Sequence, residues 1–353
     1  MAILVMDGFD VYNDITDLIS SPGWTSTNGN PVQAQGGSLP RTGGAFGGAA
    51  VQFGTSSVAY PLQRQCPFDY DKTYVASFYF KTTGFPTTTY PLCGVYTSSG
   101  TRLFGLFITN TATISVSDQT SNFSAAAASV LTANSFYHIE VKFKLGTAAN
   151  TGTLEIRVGG TVIYTLTGLN LFNASPASGF RIFNPATGVI GCWYDDLVIL
   201  DSTGDANNDY LGGIRIDTIR PNADTAQANF ALTSGASGYA LINDAFGSAD
   251  TTGYIESYTV GAKSEFELSN LVGGSNGIMA VQPRIRATKS DAGSRTYRGY
   301  LKSGAVAANG PTITPAIGWL WHTNGIFEKA PDTEDAWTDN GINALKLGLE
   351  VVS

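Results

Sequence analysis

The run Phe136–Lys144, FYHIEVKFK, alternates strictly, with Ile139, Val141 and Phe143 on one side and His138, Glu140 and Lys142 on the other. A period of two fits a strand with one face buried and one face in water. The pattern returns at Leu154, Ile156 and Val158, with Glu155 and Arg157 between them. It returns again at Val162, Tyr164 and Leu166, after a Gly159-Gly160 turn. Upstream, Tyr74, Ala76, Phe78 and Phe80 alternate with Val75, Ser77, Tyr79 and Lys81, and Leu103–Thr109 and Thr113–Ser117 read as two further strands. This meander commits the first half of the chain to antiparallel sheet with one wet face. His138 lies on the polar side, where an exposed residue is expected rather than a base.

A chain of 353 residues calls for two domains rather than one small core. Only 14% of residues are charged and 41 are glycine, a balance that favours short-turned β-sandwiches over helical proteins. The net charge of −8 divides into −2 up to Leu200 and −6 from Asp201 onward. No basic face answers phosphates, which argues against nucleic acid as a partner. Arg284, Arg286, Arg295 and Arg298 stand among acidic residues and read as a solvated strand face. Cys66, Cys93 and Cys192 are far apart and make no C-x-x-C, so they read as small buried hydrophobes of a protein made in a reducing compartment. The start, MAILVMDGFDVYND, has neither the basic head nor the long apolar core of a signal peptide. No apolar run is long enough to span a bilayer, and a soluble protein made in a cytoplasm is expected.

The chain changes character at GCWYDDLVILDSTGDANNDYLGGIRIDTIRPNAD, Gly191–Asp224. A strand over Trp193–Leu200, a polar loop over Asp201–Asp209 and a second strand over Tyr210–Arg220 are expected. Pro221, lacking an N–H for the ladder, should end that strand. The expected organisation is a sandwich at 1–200, a connector at 201–224 and a second antiparallel β domain at 225–353. Strands there are expected over Tyr254–Tyr258, Glu265–Leu271, Ile278–Ala287, Thr296–Leu301, Gly318–His322 and Leu345–Val352, with Pro283 marking an edge or bulge. Thr333 reads as the N-cap of a helical turn at Glu334–Trp337. Near the N-terminus, Asp14–Ser20 reads as one or two helical turns stopped by Pro22-Gly23, with Trp24 against the core. The glycine-rich span Gly36–Gly54 lacks the strand and helix that flank a dinucleotide loop, and reads as two short strands.

Catalytic chemistry is sparse. Glycan hydrolysis needs two carboxylates facing one cleft. Glu265 and Glu267 share a strand face without a third acid in register, and Asp195 and Asp196 point to opposite faces. His138 and His322 are the two histidines, and no G-x-S-x-G elbow accompanies either. Asp201, Asp205, Asn207 and Asp209 form the one metal candidate, since calcium takes carboxylate and amide oxygens from such loops. The competing reading is turn formation, in which these side chains bond their own backbone. Trp319, Trp321 and Trp337 are candidates for a subunit interface or a sugar-stacking surface, with burial in the core as the alternative.

The FYHIEVKFK strand with the hairpin that follows it resembles the laminin-G and concanavalin-like sandwich family over roughly Asp7–Leu200. The YDDLVIL run is expected to close that sandwich beside the N-terminal strand. The opening DGFDVY, the seam quoted above, VGAKSEFELSNL, IMAVQPRIRATKSDAGSRT and the closing LGLEVV together resemble a group of tailed-bacteriophage virion structural proteins. That resemblance implies a non-catalytic decoration or cement protein of head or tail, or a fibre component, located in the virion after assembly in the host cytoplasm. It implies capsid or tail proteins as partners and a homo-oligomer such as a trimer. The second implied function is a carbohydrate-binding receptor-recognition module of a tail fibre, touching host glycan. No catalytic residue or cofactor comes with the resemblance.

Overall fold

The computed structural model describes residues 2–26, 44–53, 61–120, 122–123, 130–183, 191–235, 237–245, 247–272 and 277–353. The chain divides into two compact units, Ala2–Asp10 with Asp14–Ile216, and Val11–Asn13 with Asp217–Ser353. Residues 201–216 thus belong with the first unit and 217–224 with the second. Part of the glycine-rich span, 36–43 and 54, lies outside the described residues.

The first unit opens with β1 (Ile3–Asp7), the helix α1 (Ile15–Ser20), β2 (Trp24–Ser26), β3 (Val51–Phe53) and β4 (Pro61–Phe68). Next come β5 (Thr73–Thr82), β6 (Tyr90–Thr97), β7 (Arg102–Ile108), β8 (Ile114–Ser117) and β9 (Asn122–Phe123). It closes with β10 (Tyr137–Lys144), β11 (Gly152–Val158), β12 (Thr161–Leu169), β13 (Ala177–Phe183) and β14 (Cys192–Asp201). One sheet runs β1-β14-β5-β10-β11-β12, with β3 also on β14, and the second runs β2-β4-β13-β6-β7-β8-β9. The two antiparallel sheets make a jelly-roll-like β-sandwich. β14 closes it beside β1, with Ile3 opposite Leu200. Asp14 caps α1 by accepting from the Asp17 N–H, and Trp24 is buried with its indole N–H on Asp7.

Alternation builds the core. Ile139, Val141 and Phe143 turn inward and are fully buried. Phe143 meets Phe104 of the opposite sheet at 5.0 Å between ring centroids, and Phe78 meets Phe180 at 6.0 Å. The Tyr194 hydroxyl donates to the carbonyls of Leu92 and Phe183, and the Tyr164 hydroxyl to that of Ile114. These tyrosines keep the layers in register while satisfying their own polar ends.

The other face of the first sheet is not the wet face that its polarity predicts. His138 is 7% exposed and Glu140 only 1%. The covering element is residues 209–216, where a ladder strand was expected and an extended strap without a ladder is found. Its backbone N–H groups go to carboxylates instead. Leu211 and Gly212 donate to Glu140 at 3.1 and 3.0 Å, and Ile216 donates to Asp196 at 2.9 Å. Lys142 bonds Asp209 at 2.8 Å, and the Arg157 guanidinium lies 3.5 Å from the Tyr210 ring centroid. A bulge in β14 between Asp195 and Val198, with Asp196 at φ 50°, turns the Asp196 carboxylate to this work.

The second unit holds β15 (Pro221–Ala228), β16 (Ala231–Leu232), β17 (Ile255–Glu256), β18 (Lys263–Leu268), β19 (Arg284–Ala287) and β20 (Tyr297–Ser303). After β21 (Val306–Asn309) and β22 (Leu320–Thr323) come the helix α2 (Asp339–Asn343) and β23 (Lys346–Val351). Its main sheet runs β15-β18-β23-β20-β21, and β16-β17 and β19-β22 form two small sheets. Pro221 begins a strand rather than ending one, because a first residue can spare its N–H. The helical turn falls at Asp339–Asn343, capped by Thr338, and not at Glu334–Trp337. Thr333 instead accepts from the Asp335 N–H in a local turn. Leu268, Leu301, Ala330, Trp337, Ile342 and Leu345 form the core of this unit.

Candidate active site on the second sheet of the sandwich

The outward face of the second sheet carries an arrangement that no single stretch of sequence displays. Five residues stand directly opposite one another across five strands: Gln63 on β4, Arg181 on β13, Gly94 on β6, Gly105 on β7 and Ser117 on β8. The adjoining row is Gln65, Gly179, Tyr96 and Arg102. At the usual interstrand spacing the first row spans about 19 Å. Neither row contains an acidic residue.

The two glycines form a buried floor, with the Arg102 and Phe107 side chains lying over Gly105. A Cβ at Gly94 would stand 2.3 Å from the Phe104 carbonyl, and one at Gly105 would stand 2.9 Å from the Arg102 side chain. Arg181 borders the floor on one side, stacked 4.0 Å over the Tyr96 ring centroid. Arg102 borders it on the other, 5.0 Å from the Phe107 ring centroid. Gln63 accepts from Arg181 Nε at 2.7 Å, and Ser117 accepts from Arg102 Nη2 at 2.9 Å. Neither arginine is paired with a carboxylate among the described residues, and Arg102 Nε is buried without a hydrogen-bond partner.

Tyr96, 9% exposed, stands between the two guanidiniums. Burial raises its phenol above the ordinary value, and Arg102 and Arg181 pull it back down. Burial in turn lowers the Arg181 guanidinium. Two cations beside a phenol, with neutral acceptors behind them, suit an extended anionic chain.

The residues singled out in the sequence lie elsewhere. Asp201 accepts from the Thr203 N–H and hydroxyl, Asp209 is held by Lys142, and Asp205 is exposed. Asn207 sits in a left-handed turn at φ 51°. No group of three or more His, Cys, Asp or Glu that could hold a metal occurs among the described residues. Trp337 is in the second core with its indole N–H on the Phe327 carbonyl, whereas Trp319 and Trp321 are half-buried, Trp319 against Tyr254. Glu265 takes hydrogen bonds from Tyr300 and Lys302.

His138 Nε2 is 2.7 Å from the Ser77 hydroxyl, and its Nδ1 is 4.0 Å from Glu140. That last distance is too long for a hydrogen bond. Burial lowers the imidazole to about 4 and raises Glu140, so both are shifted away from an ion pair. Cys66, Cys93 and Cys192 are free and buried, their thiols pushed up by burial. No helix among the described residues is long and apolar enough to cross a membrane.

No family model and no curated protein matches the chain. Among solved structures, a sialidase is 13% identical at a TM-score of 0.39, over 56% of this chain and 18% of the sialidase. An endo-β-1,4-glucuronan lyase from the fungus Trichoderma reesei is 13% identical at 0.38, over 51% of this chain and 91% of the lyase. The alginate lyase Aly36B is 13% identical at 0.39, over 55% of this chain and 95% of the lyase. The chain thus spans less than a fifth of the sialidase. Two expectations are corrected here, the non-catalytic virion structural protein with its tail-fibre receptor-recognition alternative, and the absence of enzymatic activity. These neighbours are carbohydrate-processing enzymes, a sialidase and two polysaccharide lyases.

Proposed function

We propose that this protein is a carbohydrate-active enzyme that lays an acidic polysaccharide across the second sheet and cleaves it by β-elimination. The observation that carries this reading is the pair of guanidiniums, Arg102 and Arg181, on either side of Tyr96 and without carboxylate partners among the described residues. A uronate carboxylate is a poor activator of its neighbouring C–H while it keeps its charge. Paired with an arginine, it lets the carbanion form. Tyr96 as phenolate takes the proton from C5, and the C4–O bond breaks as the C4=C5 double bond forms. The phenol then returns the proton to the leaving glycosidic oxygen. Atoms and charge balance without an external reactant. Phe107, partly exposed beside Arg102, offers an apolar surface for a sugar ring.

The test is incubation of the full chain with alginate and with glucuronan, following the ultraviolet absorbance of the unsaturated product. Absorbance should rise with at least one of them, faster as the pH climbs toward the alkaline range in which Tyr96 ionises. Chains left intact at every pH would refute the reading.

A further inference from the structure

We infer that Gln63 and Ser117 are positioning residues that orient Arg181 and Arg102 through neutral acceptors, leaving both cationic charges free for the carboxylates of the glycan. The inference rests on the lyase reading and says how its anion selectivity is built. Three other arginines are paired with carboxylates, Arg157 with Glu155 at 2.8 Å, Arg298 with Glu350 at 2.7 Å and Arg295 with Asp291 at 3.4 Å, whereas Arg220 and Arg286 donate to backbone carbonyls. On the glycine-floored face the acceptors are an amide and a hydroxyl, although Gln63 is 4% exposed and Ser117 2%. A carboxylate at either place would aim the guanidinium equally well. It would also neutralise it, and a uronate would then meet a filled ion pair. The fold thus gives up an ion pair's stability at each arginine and keeps a charge ready for ligand.

The sign of one substitution separates the possibilities. In Gln63→Glu, a free Arg181 charge would pair with the new carboxylate. The melting temperature should then match or exceed wild type at low salt, with the difference vanishing at high salt. If Arg181 were already neutralised, the same carboxylate would be buried without a partner, and the variant would melt lower. That outcome overturns the inference, and it is read without any ligand.

A second measurement is calorimetric titration with an alginate oligosaccharide, with a neutral cello-oligosaccharide as control. Gln63→Glu and Ser117→Asp should each weaken alginate binding about tenfold or more at low salt, with the gap narrowing as salt rises. Equal binding by Gln63→Glu and wild type at low salt would overturn the positioning role while leaving the lyase reading in place. A wild type that neither binds nor cleaves a polyuronate would remove the lyase reading itself, and the melting experiment would still decide whether the charge is free.

Discussion

Gly94 shows how little room the floor leaves. The position faces Gly105 across the ladder, and any side chain there meets the Phe104 carbonyl. Gly94→Ala should therefore push β6 from β7 and cost about 2 kcal/mol in urea unfolding. Full wild-type stability in the variant would show that the strands have slack that the geometry denies. His138 makes a separate claim at the same scale. Burial holds its imidazole at about 4, below the ordinary 6.5, so across that window the unfolded chain takes up a proton that the folded protein refuses. Stability should thus fall as pH drops from about 6.5 to about 4, by about 3 kcal/mol in total from this group. Asp195, raised by burial with Asp10 and Asp7 nearby, works in the opposite direction, losing stability as pH rises. The His138 part is isolated by His138→Gln, which should show a smaller loss than wild type between pH 7 and pH 5. An identical loss in both proteins would place the titration elsewhere.

Among the elements, strands were the legible part and their coverings were not. Ile139, Val141 and Phe143 announced a buried face by period alone, and β5, β7, β8, β10 and β11 fall where alternation puts them. The closing of β14 against β1 was likewise readable from YDDLVIL. The strap at 209–216 was not, since its residues look like a strand and its partners are side chains rather than a ladder. Glu140 is the partner that matters most there. Glu140→Ala would leave the Leu211 and Gly212 N–H groups without their acceptor, at a cost of about 3 kcal/mol. Amide exchange should speed up at Leu211 and Gly212. Unchanged protection at these two amides would mean that the strap is held by something other than this carboxylate.

At the scale of the whole molecule, two units carry their own cores, and the candidate site belongs to the sandwich alone. Trp337→Phe, which removes the indole hydrogen bond to Phe327 in the second core, should cost that unit about 2 kcal/mol. Amide protection in β18 and β20 should fall while that in β5 and β10 stays. Uniform loss across both units would mean that they unfold as one. The site escaped sequence reading because Gln63, Tyr96, Arg102 and Arg181 meet only through strand order, with β13 inserted between β4 and β6. A signal was nevertheless present: PLCGVY and RLFGLF each place a glycine inside an apolar strand, where close approach is the usual reason.

The most direct measurement compares Tyr96→Phe with wild type on one polyuronate, with binding and product formation followed in the same samples. The variant should bind alginate as wild type does, because Arg102 and Arg181 remain, and should form no unsaturated product. Unsaturated product at the wild-type rate from Tyr96→Phe would contradict the assignment of the proton-transferring residue and, with it, the catalytic reading of the second sheet.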